Sequence, residues 1–462
     1  MEELNASIAG ANISSAPGID GFNTRFIKKF WIYFSEPLLR YANCCFERGN
    51  LTRSFRTAVL KLIPKKGDCS DINKWRPISL LSCLYKVISR AINNRLKLVV
   101  NRFTTRAQKG FTSHRYIQEV LINVIETINY CKRHNVNGAM VSIDQSKAFD
   151  TISHKYCKEV YKFFGFGNQF INMMETIGTG RSAIILFEDG SYSREIILGR
   201  SRPQGDGPSP IQYNMGEGIL LLKIELDPEI SSVYQHYLAP NFTMNFNPPR
   251  KLKAIEKNYD EHLSKEMDRK TDKANAFADD TTVATLATLQ SLTKLKIVLS
   301  DFATFSGLRC NVEKTTITLV GDTRPISQEI KDLGFNFVNE FTLLGLKISN
   351  DIENINNVFT TTIEKILSIR EFWDRLKLTL PGRIAVAKTF MLSQIGYFGS
   401  IITPSIADIR TLQKTIDDFC IGKIKIAQNR KYIPPASGGM GLINLNDFII
   451  SLQSSWIKRW RR

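Results

Sequence analysis

The stretch NAFADDTTVAT, residues 275–285, sets two adjacent aspartates inside a run that otherwise alternates small or apolar residues with threonines. Turn chemistry alone accounts for such a pair, because Asp favours tight turns between strands. The dipeptide by itself therefore says little. A second one, Asp417–Asp418, sits in the helix-like KTIDDFCIGKI and reads as helix surface. Two like charges in a strand-like segment become informative only if another group elsewhere in the chain needs them.

That partner stands upstream, in AMVSIDQSKAFDTISH, residues 139–154. Val141 and Ile143 alternate with Met140, Ser142 and Asp144, so Asp144 faces away from the β-branched pair and closes the strand. A helix is expected next, with Ile152, Tyr156, Val160 and Phe163 on one side. Asp144 and Asp279 each fall where a β-element meets a turn. Two Mg²⁺ ions about 4 Å apart on such carboxylates can activate a 3′-hydroxyl, clamp a triphosphate and stabilise leaving pyrophosphate. The ions would also neutralise the repulsion between the aspartates. Between the two segments lies GRSRPQGDGPSPIQYN, residues 199–214, a turn-rich loop that opens a helix.

Outward from this centre, SSAPGIDGFNTRFIKKFWIYF begins with turn signals and continues as a helix-like run with Phe26, Ile27, Phe30 and Phe34 on one side. RTAVLKLIPKKGD reads as half of a hairpin ending in a basic turn. Pro77 suits a first helical position, ahead of Leu84, Val87, Ile88, Ala91, Ile92 and Leu96 at helical spacing. Residues 225–273 are rich in charge and Pro and read as a surface insertion. Past residue 355 the chain reads as helical, most clearly in TTTIEKILSIREFWDRL and PGRIAVAKTFMLSQIGYFG.

Composition narrows the function. Lys and Arg outnumber Asp and Glu by 62 to 44, giving a net charge of +18. This favours a polyanionic partner, nucleic acid before acidic membrane. The most apolar runs fall short of the roughly 18 residues a membrane span requires. MEELNAS at the start is neither a secretory signal nor a typical transit peptide. Eight cysteines without a CxxC or a zinc-ligand spacing read as reduced thiols of an intracellular protein.

Taken in order, these pieces resemble the reverse transcriptases of non-LTR (LINE-type) retrotransposons, and more loosely those of group II introns. APGIDGF is similar to the family's N-terminal extension, and LIPKKGDCSDINKWRPISLLSCLYKVISRAINNRL and QKGF to its fingers. SIDQSKAFDTISH, RPQGDGPSPIQYN and FADD resemble palm motifs A, B and C, and GLRCNVEKTTITLVG resembles motif D. FTLLGLKIS is similar to the primer-grip hairpin, and LPGRIAVAKTFMLSQIGY to the thumb. The implied fold is an α+β right-hand polymerase. Its parts would be an N-terminal extension (1–56), fingers (57–138), a palm with an antiparallel sheet (139–350), a helical thumb (351–405) and a helical C-terminal connector (406–462).

The resemblance implies an RNA-directed DNA polymerase that uses two Mg²⁺ ions, with Mn²⁺ as an alternative. Template RNA, a DNA primer or target, and dNTPs would be its partners, without a membrane. Asp144, Asp279 and Asp280 would be the catalytic metal-binding triad, Asp280 acting less directly. Phe149 would sit under the sugar of the incoming nucleotide and exclude a 2′-hydroxyl. Lys65, with Lys66 as the alternative, and Arg76 would contact the triphosphate. Gln204 and Gly205 would line the nucleotide pocket, and Lys314 would protonate pyrophosphate. Lys61, Lys147 and the thumb lysines are read as solvated or as non-specific phosphate contacts.

The sequence also departs from the family's pattern. Pro203 stands immediately before the Gln where Arg is common, GDGPSP replaces a more usual core, and Phe277 takes a place often held by Tyr. An endonuclease is expected to lie elsewhere or to have been lost. The nucleus, with a cytoplasmic ribonucleoprotein stage, is the expected location. The competing reading is a degraded retroelement remnant that only binds RNA or DNA.

Overall fold

The computed structural model describes residues 1–64, 70–145, 148–234, 273–310, 314–351, 355, 357–422 and 426–460. Lys65, Lys66, Lys147 and most of the expected insertion at 225–273 lie outside them. The chain divides into two compact units, one of residues 1–116, 138–317 and 324–336, the other of 117–137, 318–323 and 337–462.

The first unit mixes helices with two sets of strands. In chain order these are β1 (Thr57–Pro64), β2 (Trp75–Leu80), β3 (Asn137–Ile143), β4 (Ser182–Ile185), β5 (Ile196–Ile197), β6 (Ala274–Phe277) and β7 (Asp280–Leu286). One sheet has the order β2-β1-β4-β5, with β1 antiparallel to β2 and parallel to β4. The other carries β6-β7-β3, antiparallel throughout. Ala139, Met140 and Val141 of β3 are fully buried, as expected of a strand covered on both faces. The threonines of β7 suit a strand because they are β-branched, and the burial of Thr285 is eased by a bond from its hydroxyl to the Ser231 carbonyl at 2.7 Å.

Pro77 does not begin a helix. It lies in β2, opposite Leu62, and the helix Cys83–Phe103 starts later. A strand at the sheet edge tolerates Pro because its outward N–H has no ladder partner to lose. The helical spacing itself holds, and Val87, Ile88, Ala91, Ile92 and Leu96 are buried. After β3 the expected long helix is two pieces, Ala148–Thr151 and His154–Phe163. The Ser153 side chain caps the second by accepting from the Tyr156 N–H, and this helix buries Cys157, Val160 and Tyr161 and leaves Phe163 exposed. The helix Ser209–Leu226 is buried nearly all round, the mark of a central core helix.

Strands β8 (Thr316–Gly321) and β9 (Asn336–Phe337) run across the division between units. In the second unit, β10 (Glu340–Leu343) and β11 (Leu346–Ser349) form a hairpin. Its two turn residues, Leu344 and Gly345, both have positive φ, the mirror-image turn whose twist matches that of the strands. Helices Val358–Asp374, Ile406–Ile421 and Leu445–Trp460, with a helical run over 380–399, bury Phe359, Ile366, Met391, Leu412 and Phe419. Asp417 is not surface: it is buried, and Lys431 pairs with it at 3.1 Å. Among the described residues all seven cysteines are free, and no helix is long and apolar enough to cross a membrane.

Candidate active site

Strand pairing brings the predicted carboxylates together. Ile143 pairs with Thr281, so one step further along the two strands Asp144 stands across from Asp280. Phe277 pairs with Asp280, which leaves Ala278 and Asp279 as a two-residue hairpin turn. Ala278 has φ of +56°, a left-handed conformation that costs an L-residue roughly 1–2 kcal/mol. Strain of this kind persists only where surrounding structure enforces it.

Asp144, Asp279 and Asp280 are all exposed, and among the described residues none of their carboxylates has a hydrogen-bond or ion-pair partner. The loss of water around the Asp280 carboxyl raises its pKa, and the charges of Asp279 and Asp144 raise it further. Like charges across adjacent strands are destabilising, and among the described residues no cationic side chain pairs with them. The donors are hard carboxylate oxygens, which suit Mg²⁺. Among the described residues no three Asp, Glu, His or Cys side chains are gathered tightly enough to hold an ion unaided.

Phe149 is half-buried, its ring 4.9 Å from that of Tyr213, and its carbonyl accepts from the Arg202 N–H at 2.7 Å. Gln204 reaches Asp150 at 3.4 Å, and its carbonyl accepts from the Ser79 N–H at 3.0 Å. Gly205 follows with φ of +109°, and a Cβ there would come 3.3 Å from the Ser79 carbonyl oxygen, so only glycine suits this close approach. A cavity of about 370 Å³ is lined by Pro77, Ser79, Asp150, Arg181, Arg202 and Gln204. Arg76, on β2, and Lys314, ahead of β8, are exposed.

Sequence reasoning missed the polar core beneath the turn. Glu217 is fully buried, and its carboxylate accepts from Gln108 Nε2 at 2.5 Å, Gln145 Nε2 at 2.8 Å and Thr281 Oγ1 at 2.6 Å. Burial pushes its pKa up to about 8 against those three donors, and the charge of Asp279 adds to the rise. Tyr213 donates to Gln145 Oε1 at 2.6 Å, which links this core to Phe149. A second buried centre lies around Asp206, which accepts from Tyr85 at 2.6 Å and from Ser89, with Arg181 at 3.9 Å. The one available signal was an acid in the otherwise apolar helix SPIQYNMGEGILLL.

Comparison with known proteins gives the class. Residues 63–238, which include Asp144, Phe149 and Gln204, match the family described as Reverse transcriptase (RNA-dependent DNA polymerase). This part of the chain is similar to reverse-transcriptase domains.

The particular relatives carry the names of transposons and retrotransposable elements. The chain is 25% identical over 472 residues to the transposon TX1 uncharacterized 149 kDa protein of Xenopus laevis, covering all of this chain and 33% of that one. It is 29% identical over 236 residues to a retrovirus-related Pol polyprotein from the type-1 retrotransposable element R2 of Popillia japonica, covering 50% of this chain and 31% of that one. The chain thus spans about a third of the length of these relatives. Among solved structures, the RNA-dependent RNA polymerase of a human picorbirnavirus aligns with 98% of this chain and 74% of its own, at 10% identity and a TM-score of 0.49. At that score the likeness supports nothing further.

Proposed function

We propose that this protein is an RNA-directed DNA polymerase that extends a DNA 3′ end on an RNA template by two-metal-ion nucleotidyl transfer, as part of a retrotransposon. The observation that carries the reading is the set of three carboxylates at adjoining strand ends, without a partner among the described residues, inside a chain whose residues 63–238 match reverse transcriptases. Asp144 and Asp279 would hold the ions, with Asp280 supporting them electrostatically. Bound there, Mg²⁺ would lower the pKa of a 3′-hydroxyl and neutralise phosphate charge.

The remaining work falls to this chain's own side chains. Phe149, backed by Tyr213, would face the sugar and exclude a 2′-hydroxyl. Arg76 and Lys65 would grip the triphosphate, Arg with a two-donor fork and Lys as a point charge. Gln204 and Gly205 would line the nucleotide pocket, and Lys314 would deliver a proton to the leaving pyrophosphate. Residues 57–138 would act as fingers, 139–350 as palm and 351–405 as thumb. The net charge of +18 suits template RNA and DNA as partners, and such a protein would work in the nucleus after a cytoplasmic ribonucleoprotein stage.

Incorporation of dNTPs on a primed RNA template with Mg²⁺, abolished by Asp279→Ala, is the expected result. Salt-sensitive RNA binding with no incorporation would overturn the reading and make the chain a binding remnant.

A further inference from the structure

The strained turn at Ala278 needs something to hold it, and the structure shows what does. Residues 107–110 run alongside β6. The Ala276 N–H donates to the Ala107 carbonyl at 2.9 Å, and its carbonyl accepts from the Lys109 N–H at 2.8 Å. From this position the buried Gln108 side chain clasps the turn at both ends of one residue. Its Oε1 accepts from the Ala278 N–H at 2.9 Å, and its Nε2 donates to the Ala278 carbonyl at 3.0 Å.

The rest of the amide is also spoken for. Oε1 accepts from the Gly110 N–H at 2.8 Å, and Nε2 donates to Glu217 at 2.5 Å. Every donor and acceptor is used, so only one amide orientation satisfies all four contacts. The backbone sets that orientation, because the Ala278 and Gly110 N–H groups both need an oxygen and the Ala278 carbonyl needs a donor, and Nε2 is thereby aimed at Glu217. One helical step before Glu217, on the same face of the helix Ser209–Leu226, Asn214 Nδ2 donates to the Gly110 carbonyl at 2.5 Å. Gly110 has room for no side chain: a Cβ there would lie 2.5 Å from the Ala278 nitrogen.

We propose that Gln108 and Glu217 are positioning residues, a brace from the core helix to the Ala278–Asp279 turn that fixes where the Asp279 carboxylate points. Both side chains are fully buried. Their effect on catalysis rests on the polymerase reading, whereas the brace rests on hydrogen bonds alone.

Two variants separate the brace from ordinary core packing. Gln108→Met keeps the volume and removes all four contacts. Glu217→Gln must turn its NH₂ toward either Gln108 or Gln145, both of which already point donors there. Hydrogen exchange of the peptide spanning residues 274–282 reads the brace directly. We expect about tenfold faster exchange at the turn in either variant, with the peptides of β3 and of the helix Cys83–Phe103 unchanged. In primer extension kcat falls by about tenfold to a hundredfold, the scale of a misplaced catalytic group, while the KM for dNTP and the affinity for template RNA stay within about twofold.

Turn exchange that does not change, or exchange that rises equally across the whole unit, would overturn the brace. So would a KM that rises with kcat unchanged. If the wild-type chain incorporates no nucleotide, the polymerase reading fails, and the exchange measurement still decides the brace.

Discussion

The chain contains the dipeptide Asp-Asp at 279–280 and again at 417–418, and the structure treats the two in opposite ways. Asp417 is buried in the helix Ile406–Ile421, where Gln413 donates to it at 2.8 Å, Lys431 at 3.1 Å and Tyr432 at 3.4 Å. Its charge is answered from within the protein. Asp279 and Asp280 sit at the end of a β-hairpin, exposed, facing a third acid and without a paired cation among the described residues. The first pair contributes to stability; the second costs stability unless a cation arrives from outside. Chemically identical dipeptides thus differ only in what tertiary structure sets beside them.

Exchanging charge for amide should break this contrast most visibly at the turn. Asp279→Asn should lower primer extension on the order of a thousandfold, the scale of losing one electrostatic stabiliser of a transition state, with the melting temperature unchanged or raised. A smaller ring-free side chain at Phe149 comes next: Phe149→Val should reduce discrimination against ribonucleotides by about a hundredfold in single-nucleotide incorporation. The opposite pattern is expected at the helical pair. Asp417→Ala should cost about 2 kcal/mol in denaturant unfolding, by stranding Lys431 and two further donors, and leave incorporation nearly intact.

The buried acid behind the turn sharpens the contrast through pH. Glu217 holds its proton up to about pH 8 in the folded chain against an ordinary value of 4.5. Between these values the unfolded state binds fewer protons than the folded one, so stability should fall as pH rises from about 4.5 to 8 and level off above. Glu217→Gln should flatten this part of the melting-temperature profile. The smallest effect belongs to Asp418→Asn, within about 0.5 kcal/mol in the same unfolding assay.

How far the sequence disclosed this depends on the range of each interaction. Asp144 and the 279–280 hairpin were legible because strand alternation and turn chemistry are local, and β3 and β7 then pair as their patterns require. Pro77 misled because it is equally at home in a first helical turn and in an edge strand, and only the sheet order separates the two. The state of Asp417 was hidden because Lys431 and Tyr432 come from a separate helix, Gln428–Tyr432. The clasp of Gln108 on Ala278 was hidden for the same reason: 170 residues separate them, and no periodicity encodes such a contact. Glu217 left a trace as an acid in an apolar helix, but its three donors come from three other segments.

The claim that a cation from outside completes the turn, and that none is needed at the helix, is tested most directly by titrating Mn²⁺ into the full chain with primed RNA template and dNTP, followed by electron paramagnetic resonance. Bound Mn²⁺ in the wild type, lost in Asp279→Asn and retained in Asp417→Asn, is the predicted result. Equal binding by the wild type and Asp279→Asn would contradict it.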